Sequence, residues 1–191
     1  MPRTIAEIMK QALEVQQKAL EQNQEPLARV VERVSAAFQD GRTLFICGNG
    51  GSAADSQHIA AEFIGRFQRE RRALPAVALT TDSSILTCLS NDYSFETVFS
   101  RQVEALARPG DVLLGLSTSG NSPNVVKAFE AARQRDVYTI SLTGEGGGKL
   151  QPLSDMCLTM PSKVTARIQE AYMTLAHILC ELVEERIADG G

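Results

Sequence analysis

A chain of 191 residues has room for one domain with a proper core and not for two of full size. Its 43% hydrophobic and 22% charged residues argue against disorder, and a net charge of −4 argues against a general polyanion binder. No apolar stretch reaches the roughly 20 residues needed to cross a bilayer. Glu7, Gln11 and Glu14 interrupt the region where a signal peptide needs an unbroken apolar run, so a cytoplasmic protein is expected, with neither membrane nor nucleic acid as partner. Cys47, Cys88, Cys157 and Cys180 form no C-x-x-C pair and read as reduced core thiols. The short basic run Arg69, Arg71, Arg72 contains Glu70 and reads as a solvated loop.

In chain order, two helices are expected first. Ile5, Ile8, Met9, Ala12, Leu13 and Leu20 recur at helical spacing. Pro26 suits the first turn of a second helix with the stripe Leu27, Val30, Val31, Val34 and Phe38, stopped by Gly41. Residues 43–47 are a buried strand running into Gly48-Asn49-Gly50-Gly51-Ser52, and a helix follows over 53–67. A strand at 76–79 precedes helical patterns near 85–89 and 95–106. A strand at 112–116 leads into the polar loop Ser117-Thr118-Ser119-Gly120-Asn121-Ser122, and Pro123 opens another helix. Strands at 137–142 and 156–160, the former ended by Thr143-Gly144 and a run of glycines, complete five, and a long helix spans 165–187. This alternation predicts a doubly wound α/β domain over 1–191, with a mostly parallel five-stranded sheet, flanking helices and an N-terminal helical pair.

Ligands of such sheets bind beyond the carboxyl ends of the strands, where both polar, glycine-rich loops fall. The 117–122 loop brings four hydroxyls to a helix start, an anion site without a formal positive charge that suits a phosphate monoester. The plainer alternative is a polar turn with Ser122 as N-cap. Gly48, Gly50 and Ala53 match the dinucleotide fingerprint weakly, but the first acid at a plausible strand end is Asp82, over 30 positions after Gly48. No G-x-x-x-x-G-K-[ST] occurs, so a nucleotide cofactor is disfavoured. His58 and Glu62, four apart, share one helix face and can chelate a divalent metal, act as acid and base, or simply hydrogen-bond at the surface. His177, among Leu175, Ile178 and Leu179, reads by default as a core histidine.

Cys47-Gly48-Asn49-Gly50-Gly51-Ser52, His58 with Glu62, Asn91-Asp92, the 117–122 loop, Leu142-Thr143-Gly144 and Arg167-Ile168-Gln169-Glu170 occur in the order seen in sugar-isomerase (SIS) domain proteins. The chain resembles that family over nearly its whole length, and most closely its branch acting on seven-carbon sugar phosphates. The resemblance implies a cytoplasmic homotetramer converting sedoheptulose 7-phosphate into D-glycero-D-manno-heptose 7-phosphate, the first step of ADP-heptose supply to the lipopolysaccharide core. It implies that Ser52, Ser117, Thr118, Ser119 and Ser122 hold the phosphate, and that Asn49, Gly50, Gly51, Asn91 and Asp92 line the sugar, with Glu62 and Gln169 also touching substrate. His58, Glu62, Gln169 and His177 would bind one zinc ion per subunit, with Glu62 and His177 the catalytic pair. Tyr172 stands where several members have histidine. Residues 1–40 are expected to serve oligomerisation.

The rival reading is a non-catalytic adaptor of the same family that binds the replication initiator DnaA and lacks the acidic and histidine residues. The presence of Glu62 and His177 favours the isomerase. A sugar-phosphate sensor would need a DNA-binding unit, and the opening helices carry no convincing one. Gln169 and His177 lie eight apart, about 12 Å along a helix axis. That separation leads to the expectation that the final helix of one subunit faces the first-loop helix of another, so that active sites are shared and a monomer is inactive.

Overall fold

The structure, a computed structural model, describes residues 3–189. Thr4 opens α1 (Ile5–Gln39) with a capping box: Glu7 N–H donates to its hydroxyl at 3.2 Å and the Glu7 carboxylate accepts from Thr4 N–H at 2.7 Å. The two expected N-terminal helices are one 35-residue helix with Pro26 inside it. An internal proline costs about 3 kcal/mol. Against this, Leu27, Val30, Val31 and Val34 are buried, each contributing roughly 1.5–3 kcal/mol. Asn23 also pins the segment before the proline, donating to Ala19 O at 2.7 Å and to Thr159 O at 2.9 Å. Burial of one continuous stripe therefore outweighs the break.

The remaining elements are β1 (Leu44–Gly48), α2 (Gly51–Ile64), β2 (Ala76–Ala78), α3 (Ser83–Asp92), α4 (Ser100–Leu106), β3 (Val112–Ser117), α5 (Pro123–Arg133), β4 (Tyr138–Thr143), β5 (Met156–Thr159) and α6 (Thr165–Asp189). The five strands are all parallel, in the order β2-β1-β3-β4-β5, with Leu44 opposite Val112 and Val112 opposite Tyr138. The fold is the doubly wound α/β domain expected, with a long N-terminal helix in place of a pair. A short 3-10 turn over Gly148–Leu153, outside the sequence expectation, follows the glycine run.

β1 and β3 are buried throughout, as strands covered on both faces must be. Leu44 and Ile46 face a core built with Val34, Phe63, Leu175 and Val183, from α1, α2 and α6. Phe45 and Cys47 face the other core, with Val103, Val125 and Phe129 from α4 and α5. The chain thus leaves β1 toward one face through α2, and leaves β3 toward the other through α5. Between β1 and β3 lies the topological switch point, where a crevice opens at the carboxyl edge. Among the described residues no helix is long and apolar enough to cross a membrane.

All four cysteines are free, yet only Cys47 and Cys180 are core residues, since Cys88 is exposed and Cys157 half-buried. Burial pushes both core thiols up to about 12, which makes them inert.

Candidate active site

Two loops frame the crevice. The first links β1 to α2, and Asn49 spans the switch point: its amide and that of Asn124, on the first turn of α5, exchange two hydrogen bonds of 2.8 Å. Gly50 has φ +55 at the turn into α2. Gly51 leaves space for α6, since a Cβ there would lie 2.5 Å from Gln169 Nε2.

The second loop joins β3 to α5. Ser122 does not cap α5 with its side chain; its hydroxyl lies 2.9 Å from that of Ser117. The plain N-cap reading is therefore replaced by a cluster in which the Ser117, Ser119 and Ser122 hydroxyls converge, with Ser119 3.5 Å from Ser117. The ring of hydroxyls sits before a helix N-terminus whose first residue is Pro123. The loop is held from outside: Ser119 Oγ accepts from Asn121 N–H at 3.1 Å, and Asn121 Oδ1 accepts from Lys149 N–H at 3.0 Å. Thr118 contributes its carbonyl, which accepts from Gly144 N–H at 3.1 Å. Gly120, at φ +65, packs against the Gly147 backbone so closely that any Cβ would overlap it. The glycine run that looked like a strand terminator is the bed of this loop.

The titratable groups gather on α2 and α6. His58 Nε2 is 3.1 Å from Glu62 Oε1 and 3.1 Å from His177 Nε2, and the ligand atoms of all three lie within 4.8 Å of one another. Two imidazole nitrogens and a carboxylate oxygen at this spacing match the ligand chemistry of zinc. His177 is thus a half-exposed site residue rather than a satisfied core histidine. α2 and α6 pack against each other within one chain, so His58, Glu62 and His177 meet without a partner subunit. This corrects the expectation that α6 of one subunit would face α2 of another. Helix geometry did separate Gln169 from His177: Gln169 lies at the start of α2 beside Gly51, two turns back from the cluster.

Other expected residues fall apart from this centre. Asn91 and Asp92 are exposed at the end of α3, which buries no residue, and they hydrogen-bond to each other at 2.8 Å. Ser52 is buried, its hydroxyl 2.9 Å from that of Tyr172, and Tyr172 donates to Asp55 at 2.6 Å. Burial, reinforced by that bond, holds the Tyr172 hydroxyl far above the usual phenol range.

The sequence reading missed a second layer. Arg71, expected in solvent, has a 2% exposed side chain and caps the end of α2, donating to Glu62 O at 2.7 Å and Phe63 O at 2.8 Å. It lies 3.4 Å from the Glu184 carboxylate, which accepts from the N–H groups of Phe67, Gln68 and Arg69 at 2.6–2.8 Å. Burial acts to raise the Glu184 pKa, but these N–H bonds and Arg71 hold it below the usual carboxylate value. The segment so fixed places the Phe67 ring 5.7 Å from that of His177. Arg71 sits seven residues after Ile64 in an irregular loop, and nothing in local spacing marks it for burial.

Fold and site together define a class: a doubly wound α/β domain with a phosphate-type hydroxyl loop at its switch point and a His–His–Glu cluster beside it. The SIS domain profile matches residues 8–144, and the chain belongs to the SIS domain family. The chain is 51% identical to a protein named phosphoheptose isomerase from Roseiflexus sp. (strain RS-1), over 97% of this chain and 94% of that one. It is 49% identical to another of that name from Aquifex aeolicus (strain VF5), over 99% of both. The solved structure of the phosphoheptose isomerase GmhA from Neisseria gonorrhoeae superposes with a TM-score of 0.89 at 44% identity, covering 95% of this chain and 97% of that one.

Proposed function

We propose that this chain is a sugar-phosphate isomerase that converts sedoheptulose 7-phosphate into D-glycero-D-manno-heptose 7-phosphate, the heptose that feeds ADP-heptose and lipopolysaccharide synthesis. The observation that carries the reading is the convergence of His58, Glu62 and His177 within 4.8 Å, next to a charge-free phosphate loop. The adaptor alternative keeps such a serine loop but lacks the acidic and histidine residues of the cluster, and relatives about half identical over nearly the full length carry the isomerase name.

Ser117, Thr118, Ser119 and Ser122 hold the phosphate at the α5 N-terminus, while Asn49, Gly50, Gly51 and Gln169 line the sugar; for Asn91 and Asp92 at the end of α3 only the resemblance supports a place there. His58 follows Gly51 by seven residues, about 10 Å along α2, a span that an extended seven-carbon ester covers. At the far end Glu62 takes the proton from C1 of the ketose and returns it at C2 through a cis-enediol. His177 moves the proton between O1 and O2. The two Nε2 atoms lie 3.1 Å apart, so both rings present a nitrogen to the same point beside Glu62. Zinc held by His58, Glu62 and His177 would polarise the reacting oxygens. Gln169, two turns away, is assigned to the sugar.

Assembly into a homotetramer through residues 1–40 is supported by apolar surface on α1, where Ile5 is 79%, Met9 60% and Leu13 64% exposed. A coupled assay with sedoheptulose 7-phosphate, with and without chelator, tests the activity and the need for metal. Turnover of the phosphate ester, and little with unphosphorylated sedoheptulose, is the expected result. Absence of turnover in metal-replete protein would return the adaptor reading to first place.

A further inference from the structure

The carboxamides of Asn49 and Asn124 meet across the switch point, and three hydrogen bonds settle how both are turned. Val125 N–H lies 3.0 Å from one end of the Asn124 amide. A backbone N–H can only donate, so that end is the oxygen Oδ1 and the other end is Nδ2. Asn124 Nδ2 then donates to Asn49 Oδ1 at 2.8 Å, and Asn49 Nδ2 donates to Asn124 Oδ1 at 2.8 Å. A flipped Asn49 would set nitrogen against nitrogen and oxygen against oxygen, so its orientation is dictated by its partner. Both lone pairs of Asn124 Oδ1 are taken, and its residue is 2% exposed, whereas Asn49 is half-buried. The pair leaves Asn49 with one hydrogen on Nδ2 and one lone pair on Oδ1.

We propose that Asn124 is a positioning residue: from the first turn of α5 it fixes the Asn49 carboxamide, so that the sugar meets one donor and one acceptor in set places. Neighbouring hydroxyls of a polyol chain can each donate and accept, and they match such a pair. The contact also ties together two elements that leave the sheet on opposite faces. α2 packs into one core through Ile59 and Phe63, and α5 into the other through Val125 and Phe129. Asn124 follows Ser122 by two residues, so the contact holds the sugar loop at a fixed spacing from the hydroxyl loop. The role rests on the isomerase reading, because Asn49 matters here as a sugar contact. Asn124, itself buried, acts through Asn49.

The test uses Asn124→Leu, which keeps nearly the same volume and removes both amide groups, with Asn124→Ala as a second variant and circular dichroism as the check on folding. The kcat/KM for sedoheptulose 7-phosphate is expected to fall roughly tenfold or more, as for loss of other supporting contacts. Inorganic phosphate, which needs the hydroxyl loop and not Asn49, should still compete with the ester, its inhibition constant within about twofold of wild type. In an Asn49→Ala background the Asn124→Leu change should add no more than about a twofold effect, because residues acting through one another are not additive. Wild-type kcat/KM in either folded variant would overturn the role. So would an equal fold-loss in both backgrounds, or phosphate inhibition weakened as much as kcat/KM, since either marks a general loosening of the α5 end. Failure of both variants to fold would overturn it too, by making the contact structural. Absence of turnover in the unsubstituted protein would overturn the proposed function together with this role, and it shows before any substitution is made.

Discussion

The loop after β3 offers hydroxyls and a helix N-terminus with no charged side chain, whereas the α2–α6 cluster packs two imidazoles and a carboxylate within 4.8 Å. The loop comes from six consecutive residues, and its shape is imposed by backbone: Gly120 against Gly147, and Asn121 against Lys149. The cluster joins residues 119 positions apart, and its shape is imposed by helix packing and the buried Arg71–Glu184 contact. One region is suited to binding a fixed dianion and the other to moving protons. A substitution in the first should therefore act on KM, and one in the second on kcat.

The cluster should give the larger effect. Glu62→Gln keeps the size of the side chain and removes the base, so kcat is expected to fall by about 10²-fold or more, with the circular dichroism spectrum unchanged. Because Glu62 and His177 meet in one chain, dissociating and reassembling Glu62→Gln with His177→Ala protein should restore no activity in confirmed mixed oligomers. Recovered turnover would show that the two residues are supplied by different chains and break the one-chain site.

Ser119→Ala tests the loop. Its hydroxyl is exposed and lies 3.5 Å from that of Ser117, so its loss should remove one hydrogen bond to the phosphate. A hydrogen bond to a charged group contributes roughly 1.5–3 kcal/mol, which predicts a rise in KM of about tenfold or more with kcat little changed. A fall in kcat at constant KM would mean that the loop acts on the chemistry and would dissolve the division of labour.

These two regions also differ in how far they could be read from sequence. The 117–122 loop was legible because strand, hydroxyls and helix start are contiguous, and because a parallel sheet sends such loops to its binding edge. His58 and Glu62 were legible as a pair through i, i+4 spacing. His177 was not, since its neighbours Leu175, Ile178 and Leu179 make it look like core, and only the resemblance to a family pointed to it. The single long α1 was missed because Pro26 is a local signal, while its override comes from packing on α6 and β5. Asp55, Arg71 and Glu184 were invisible for the same reason: their roles are contacts with residues 113–117 positions away or with an irregular loop, and no short pattern records them.

The smallest effect is expected at Glu184, which holds the segment behind the cluster rather than the cluster itself. Its folded-state pKa lies below the ordinary 4.5, because three N–H groups and Arg71 outweigh burial. A carboxylate of this kind contributes stability that is fully present above its unfolded pKa and is lost as pH falls through the lower, folded one. Glu184→Gln keeps an oxygen to accept from some of the Phe67, Gln68 and Arg69 N–H groups but has no charge to titrate. Its melting temperature should therefore lie a few degrees below that of the unsubstituted protein near neutral pH, a shift of roughly 2–4 °C for each kcal/mol in a chain this size. The gap should narrow as the pH drops below about 4.5, where the carboxylate of the unfolded chain takes up a proton that the native one still resists, and close as the pH falls through the lower folded value. A gap that stays constant from pH 7 to the acid limit would show that shape, not charge, holds the 67–69 segment. The support behind His177 would then be steric, resting on the Phe67 ring alone.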